Sequence, residues 1–262
     1  MNDRLKHLLA THPRLWRGAD VARRKPRCSS LDTGYPSLNR LLHSGGWPRG
    51  VTSELYLPGQ GIGELRLLLP ALRQLVGEGY IGWVAPPYLP FAPALARQGV
   101  DLRQLLVVPA SPLRDRLWAM EQMLLSECCV AVFGWLGGEV AGLRELRRLQ
   151  LAAEHSGCWS VLFRHSRCRP LPSPSALRIG LQPEPKGRLD IEIFKQPGGW
   201  AGQRLTLSVA PHYEQWQRLP VELRPVYTAN PSPVIATGAA GAAEPAVVSG
   251  IFPSAATTAQ PL

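Results

Sequence analysis

Apolar positions along the middle of this chain follow two alternating rhythms. Short, nearly unbroken apolar runs at Val51–Leu57, Tyr80–Ala85, Leu105–Val108, Cys129–Trp135 and Trp159–Arg164 read as buried strands. Between them, apolar residues recur three and four apart, the spacing of one helical face. After the first strand these are Leu65, Leu68, Leu69, Leu72, Leu75 and Val76, with Pro70 expected to kink the helix or delay its start. Leu113–Ser126 and Glu139–His155 predict two more helices, and Ala94–Gln98 a shorter one after Pro86, Pro87, Pro90 and Pro93. Upstream, Thr33-Gly34 predicts a turn, Ser37 an N-cap, and Leu38, Leu41 and Leu42 one helical face. Strands alternating with helices predict an α/β fold with a mostly parallel sheet flanked by helices on both faces. Arg188–Lys195 and Gln203–Val209 instead alternate with period two around Pro197-Gly-Gly199, the pattern of a terminal β-hairpin.

The two ends break this pattern and suggest three segments. Residues 1–27 form a basic arm with a short helix (Leu5, Leu8, Leu9), residues 28–210 the core, and residues 211–262 a Pro/Ala-rich tail. The stretch 225–262 has a single charged side chain, Glu244, and no periodic apolar face, so disorder is expected. That tail is either inert or a tether for a partner. The net charge of +10 is concentrated in the arm, where Arg4, Lys6, Arg14, Arg17, Arg23, Arg24, Lys25 and Arg27 face only Asp3 and Asp20. Such density attracts nucleic acid phosphates and equally suits a solvated arm. No apolar run is long enough to span a membrane, and the N-terminus lacks the pattern of a signal peptide. The five cysteines contain no C-x-x-C pair, which argues against a zinc site or disulfide framework and fits a reducing cytoplasm. Among the tryptophans, Trp83, Trp118, Trp135 and Trp159 fall on predicted core elements. Trp16 and Trp47 lie near breaks in the pattern and are the candidate partner anchors.

The stretch Pro58-Gly-Gln-Gly-Ile-Gly-Glu-Leu65, between an apolar strand and an apolar helix, has the layout of a phosphate-binding P-loop. Gly59, Gly61 and Gly63 supply the open backbone that cradles phosphate. The chemistry that should follow is missing. Where a P-loop has Lys and then Ser or Thr, this chain has Glu64 and Leu65, and Pro58 has no N–H to offer. Two unit charges about 4 Å apart interact by roughly 4 kcal/mol at an effective dielectric near 20. Reversing the sign of that interaction argues against MgATP in the usual pose. The G-x-G-x-G spacing also departs from the G-x-G-x-x-G of dinucleotide-binding folds. A second candidate is Arg164, Arg167 and Arg169, a basic cluster after the last strand of the alternating series. It would meet an acidic partner or nucleic acid phosphate, or form a solvated loop.

Several segments carry a family resemblance over about residues 15–210. The run from Leu31-Asp-Thr-Gly-Tyr-Pro-Ser-Leu to Gly45-Gly-Trp-Pro-Arg-Gly-Val-Thr-Ser-Glu-Leu-Tyr56 resembles the entry into the RecA ATPase core, and Arg97–Leu106 is similar to the segment after the second strand of that fold. Leu67–Leu75 and Val132–Leu136 are similar to segments shared by the SulA/ImuA family of RecA-like proteins. Leu15-Trp-Arg-Gly18 and the hairpin Ile191–Gly199 resemble the ImuA branch. The RecA pattern includes a Mg²⁺-ordering acid at the end of the strand that begins at Cys129, and a catalytic glutamate after the strand Tyr80–Ala85. Gly134-Trp135 and Pro86-Pro87-Tyr88 stand there instead. With the P-loop Lys, both acids and the long DNA-binding loops absent, the resemblance implies a non-catalytic protein without cofactor or metal. It would serve as an adaptor in SOS-induced error-prone translesion synthesis, for an ImuB-like Y-family protein and a C-family polymerase. RecA and DNA are further expected contacts. The alternative implied by the same family is a SulA-like inhibitor of cell division that binds FtsZ.

Overall fold

A computed structural model of the chain describes residues 29–209. The expectations for the basic arm and the tail, including Arg14, Trp16, Arg17, Arg23, Arg24, Lys25 and Arg27, lie outside the described residues. Within them, ten strands and five α-helices alternate. A small ribbon pairs β1 (Ser30–Leu31) with β2 (Trp47–Pro48), with helix α1 (Pro36–Leu41) between them. The main series runs β3 (Val51–Leu57), α2 (Glu64–Leu72), β4 (Tyr80–Val84), α3 (Ala92–Arg97), β5 (Leu105–Val108), α4 (Leu113–Leu125), β6 (Cys129–Gly137), α5 (Leu143–Ser156) and β7 (Trp159–His165). It closes with β8 (Leu177–Glu184), β9 (Arg188–Lys195) and β10 (Gln203–Ser208).

The main sheet has eight strands in the order β10-β9-β8-β3-β7-β6-β4-β5. Strands β8 to β5 in that order are parallel, and β9 and β10 extend the sheet antiparallel from β8. The fold is therefore α/β with a mostly parallel sheet flanked by helices. Strand alternation sorts the side chains between two faces. One face collects Leu55, Leu57, Trp83, Phe133, Trp135, Trp159, Val161, Phe163, Ile179 and Ile191 against the α1 and α2 leucines. Its aromatic rings form a continuous belt from Trp47 through Trp159, Phe133, Trp83 and Trp135 to Phe163. The opposite face under β4, β6 and β7 packs Val84, Val132, Leu136 and Leu162 against α4 and α5. Helix α5 also reaches the start of β3, where Gln150 accepts from Thr52 N at 3.0 Å. Beneath the rest of β3 and beneath β8 and β9 that same face turns polar, and no α-helix of the described residues covers it.

Local chemistry accounts for the differences from the expected elements. Pro36 takes the first helical position of α1 and Tyr35 its N-cap, so Ser37 is inside the helix and caps nothing. Pro70 lies within α2 and does not end it. A proline there has no N–H for the carbonyl of Arg66, and the Tyr35 hydroxyl donates to that oxygen instead at 3.3 Å. Helix α5 begins at Leu143, later than Glu139, because Gly137 takes a positive φ and Gly142 serves as N-cap. Strand β8 has no counterpart in the predicted elements. Its alternating Leu177, Ile179 and Leu181 face the core.

Gly34 fastens the entry segment to α2. It has φ +79°, and a Cβ built on it would lie 2.3 Å from the Pro70 Cβ. Gly34→Ala is expected to lower unfolding stability by about 2–4 kcal/mol, from overpacking and left-handed strain together. Urea unfolding followed by tryptophan fluorescence measures it.

Candidate functional site

The glycine-rich loop leaves the end of β3 at Pro58 and enters α2 at Glu64, at the edge of the sheet where parallel strands end. Gly61 has φ +75° and Gly63, the N-cap of α2, φ +107°, both conformations that glycine adopts freely. They turn two backbone N–H groups toward one point, and an anion occupies it. The Glu64 carboxylate accepts from Gly61 N at 3.0 Å and from Gly63 N at 3.0 Å, and the side chain is buried. Glu64 therefore does more than repel a phosphate. It fills the cradle from inside the chain with the kind of group that such a loop and helix end favour. Beside it, Leu57, Gly59, Gln60, Trp135, Phe163 and His165 border a cleft of only about 40 Å³. Small-molecule sites usually enclose roughly 300–1,000 Å³. Leu65, partly buried, packs against the core.

Neighbouring strand ends carry no acid toward the loop. Strand β6 ends in Trp135-Leu136-Gly137, and β4 is followed by Ala85, held at φ +53°, and then Pro86-Pro87. Among the described residues, no group of three or more His, Cys, Asp or Glu side chains is placed to hold a metal ion.

A second polar centre was not anticipated from the sequence. Glu54 and Tyr56, two apart on β3, share the polar face of the sheet, and Glu54 is fully buried. Its Oε1 accepts from Arg164 Nη1 at 3.0 Å and Ser173 Oγ at 2.9 Å. Its Oε2 accepts from the Tyr56 hydroxyl at 2.5 Å and Arg178 Nε at 3.1 Å. Burial, and then the adjacent Glu54 carboxylate, push the Tyr56 phenol up to about 12, so it remains a donor. Burial works most strongly against the charge on Arg164, but Glu54, with Tyr56 and Cys168 adding to it, holds the guanidinium above its ordinary value. Arg178 also donates to the carbonyls of Arg169 and Leu171, and Lys195 to that of Ser173. The segment after β7 is thereby fastened across the polar face.

This network corrects the expected basic cluster. Arg164 is not on the surface, since its side chain is fully buried against Glu54. Arg169 forms a two-point pair with Glu192 at 2.7 and 2.8 Å, and its guanidinium stacks on Phe194. Arg167 is exposed but donates to the Gly138 carbonyl. The three arginines thus fasten the segment in place and do not form an open patch. Trp47 is corrected as well: it is completely buried against Trp159 and has no surface to offer a partner. Conversely, Trp118, expected in the core, is 60% exposed. Trp83, Trp135 and Trp159 are buried, as the packing reading has them.

With this geometry in view, comparison with known proteins gives one partial likeness. The chain is 37% identical over 79 residues to the RecA protein of Chlorobaculum parvum, a match that covers 30% of this chain and 22% of that protein. The match thus spans about a fifth of that relative's length, and the likeness is RecA-like and distant. No family model matches the chain. No helix among the described residues is long and apolar enough to cross a membrane.

Two measurements check the polar centre. Glu54→Gln leaves Arg164 buried beside a neutral amide and should cost about 3–5 kcal/mol in urea unfolding. Hydrogen bonds from Arg169 hold Glu192 below its ordinary value of 4.5, outweighing burial, with Arg204 assisting. A depressed carboxyl stabilises the fold fully above the unfolded value and loses that contribution as pH falls through the lower folded value. Unfolding midpoints taken from about pH 6 to pH 3 should therefore fall less steeply for Glu192→Gln than for the unaltered chain.

Proposed function

We propose that this chain is a non-catalytic accessory protein of SOS-induced error-prone translesion DNA synthesis. It acts as an adaptor between an ImuB-like Y-family protein and a C-family error-prone polymerase, in the cytoplasm and without a cofactor. The observation that carries the non-catalytic half is the Glu64 carboxylate bonded to the amides of Gly61 and Gly63. Phosphoryl transfer depends on positioned cations, metal ligands and a water-orienting group. The loop and the ends of β4 and β6 supply none of them. The pathway half is supported by the partial likeness to RecA and by the ImuA-like segments Leu15–Gly18 and Ile191–Gly199. Contacts with RecA and with DNA through the basic arm belong to the same proposal.

The SulA-like reading, an inhibitor that binds FtsZ, shares the segments Leu67–Leu75 and Val132–Leu136. Leu67, Leu68, Leu72, Leu75, Val132, Phe133 and Leu136 within them are completely buried, so these stretches carry fold and not partner choice. Overexpression separates the two: normal division supports the adaptor, and filamentous cells support the inhibitor. Deleting the gene should lower mutation frequency after DNA damage in cells with an intact damage response, and an unchanged frequency would remove the translesion role. Calorimetry with MgATP should show no saturable binding at millimolar nucleotide. Hydrolysis that disappears in Gly63→Val would overturn the non-catalytic reading.

A further inference from the structure

At the edge of the sheet where the parallel strands begin, an irregularity in β6 sets two buried thiols side by side. Between β4 and β6 the register passes from Tyr80 opposite Cys129 directly to Ile81 opposite Ala131. Val130 is therefore an extra residue on β6, a bulge, and the alternation of faces resumes one step late. Val130 and Ala131 accordingly both pack into the core on the α2 side. Cys129 falls on the other face, in the cluster beneath α4 and α5. Across the next boundary Ala131 stands opposite Trp159, which Cys158 precedes. With Val130 set aside by the bulge, the residue of β6 beside Cys158 is Cys129. Both belong to the same buried cluster.

The backbone is pinned at each of the two positions. Tyr80 N donates to the Cys128 carbonyl at 2.9 Å, and Gly50 N to the Cys158 carbonyl at 2.9 Å. Neighbouring strands run about 4.8 Å apart, and disulfides join Cα atoms about 4.4–6.8 Å apart. Burial, and then Cys129 itself, push the Cys158 thiol up to about 12, against the pull of Arg49. Burial also raises Cys129, partly offset by a hydrogen bond from Ser126 that favours the thiolate. Cys129 is the more exposed of the two, at 6% against 1%, so it meets an oxidant first. The other described thiols stand apart from this row. Cys128 is exposed, and Cys168 is buried against the carbonyls of Gly138 and Glu139.

We propose that Cys129 and Cys158 form a reversible disulfide that locks β6 to β7 when the chain meets a peroxide. The Cys129 thiolate attacks one oxygen of hydrogen peroxide, the O–O bond breaks, and a sulfenic acid and hydroxide form. The Cys158 thiolate then attacks that sulfur, the S–S bond forms, and a second hydroxide leaves. The two thiol protons neutralise the two hydroxides, so two thiols and one peroxide give one disulfide and two waters. Thiol–disulfide exchange with a small thiol reverses the bond. The closed ring runs from residue 129 to residue 158 and contains all of α5, so it constrains the unfolded chain strongly.

The test treats the full chain with hydrogen peroxide, alkylates the remaining thiols in urea and maps the peptides without reduction. The expected product is a peptide pair joined through Cys129 and Cys158, two hydrogens lighter than its parts and released by dithiothreitol. Cys168 should be recovered alkylated. The oxidised chain should unfold about 5 °C or more above the reduced one. Peroxide should give no such rise in Cys158→Ala, with Cys129→Ala as the second variant should the first not fold. Cys128→Ser should still form the link. The proposal is overturned if Cys129 and Cys158 are recovered alkylated from the oxidised chain, or if Cys128 proves to be the partner of either. It is likewise overturned if Cys128→Ser abolishes the link, or if the midpoint does not rise on oxidation.

Discussion

Glu54 sits on the middle strand of the sheet with no access to water, and a carboxylate there is tolerable only when donors surround it. The donors come from far along the chain: Arg164 on β7, Ser173 in the following segment and Arg178 on β8. They converge only when β3 pairs in parallel with both β7 and β8 in the observed register. A slip of one residue would carry Arg164 to the apolar face and leave the carboxylate unmatched. The net stabilisation from such a cluster is modest beside that of an apolar core. Its effect is selective, because misregistered sheets carry a buried uncompensated charge and the native one does not.

That clamp explains the unequal covering of the sheet. Among the described residues, α1 and α2 pack on one face, and α4 and α5 cover the other under β4, β6, β7 and the start of β3. Beneath the rest of that face the cover is a short segment, residues 166–176, that opens with a single 3-10 turn, Ser166–Cys168. Arg178, Lys195 and Glu54 hold its carbonyls and Ser173 in place. Side-chain hydrogen bonds do there what helix burial does elsewhere.

The strand-and-helix rhythm was legible because buried parallel strands are nearly all apolar and amphipathic helices are not. Val51–Leu57 and Leu105–Val108 match their expected bounds to the residue, although the second is the edge strand, and Leu106 and Val107 are exposed and not buried as the apolar run suggested. Strand β8 escaped because its Arg178, Gly180 and Gln182 dilute the signal, although the alternation of Leu177, Ile179 and Leu181 was there to find. That Glu64 stands where a P-loop has Lys was visible in the sequence. That the same residue fills the loop was not, since this depends on how Gly61 and Gly63 turn their amides. The Glu54–Arg164 pair spans 110 positions and follows no local periodicity. Arg164 therefore read as part of a surface patch. Trp47 and Trp118 exchanged their expected places for a similar reason. A break in pattern hid the β1–β2 ribbon that buries Trp47, while Trp118 lies on the outward face of a helix whose inner face is well packed.

A phosphate-binding loop usually becomes ordered as its ligand arrives, so its stability follows the free ligand concentration by mass action. Here the anion is one and three residues from the amides that bind it, and its effective concentration is set by the tether. That concentration is on the order of millimolar or more for short tethers, and no cellular pool changes it. An external anion competes at this loop against a ligand that cannot diffuse away. The loop's order therefore follows the fold of its own chain and not the supply of a ligand.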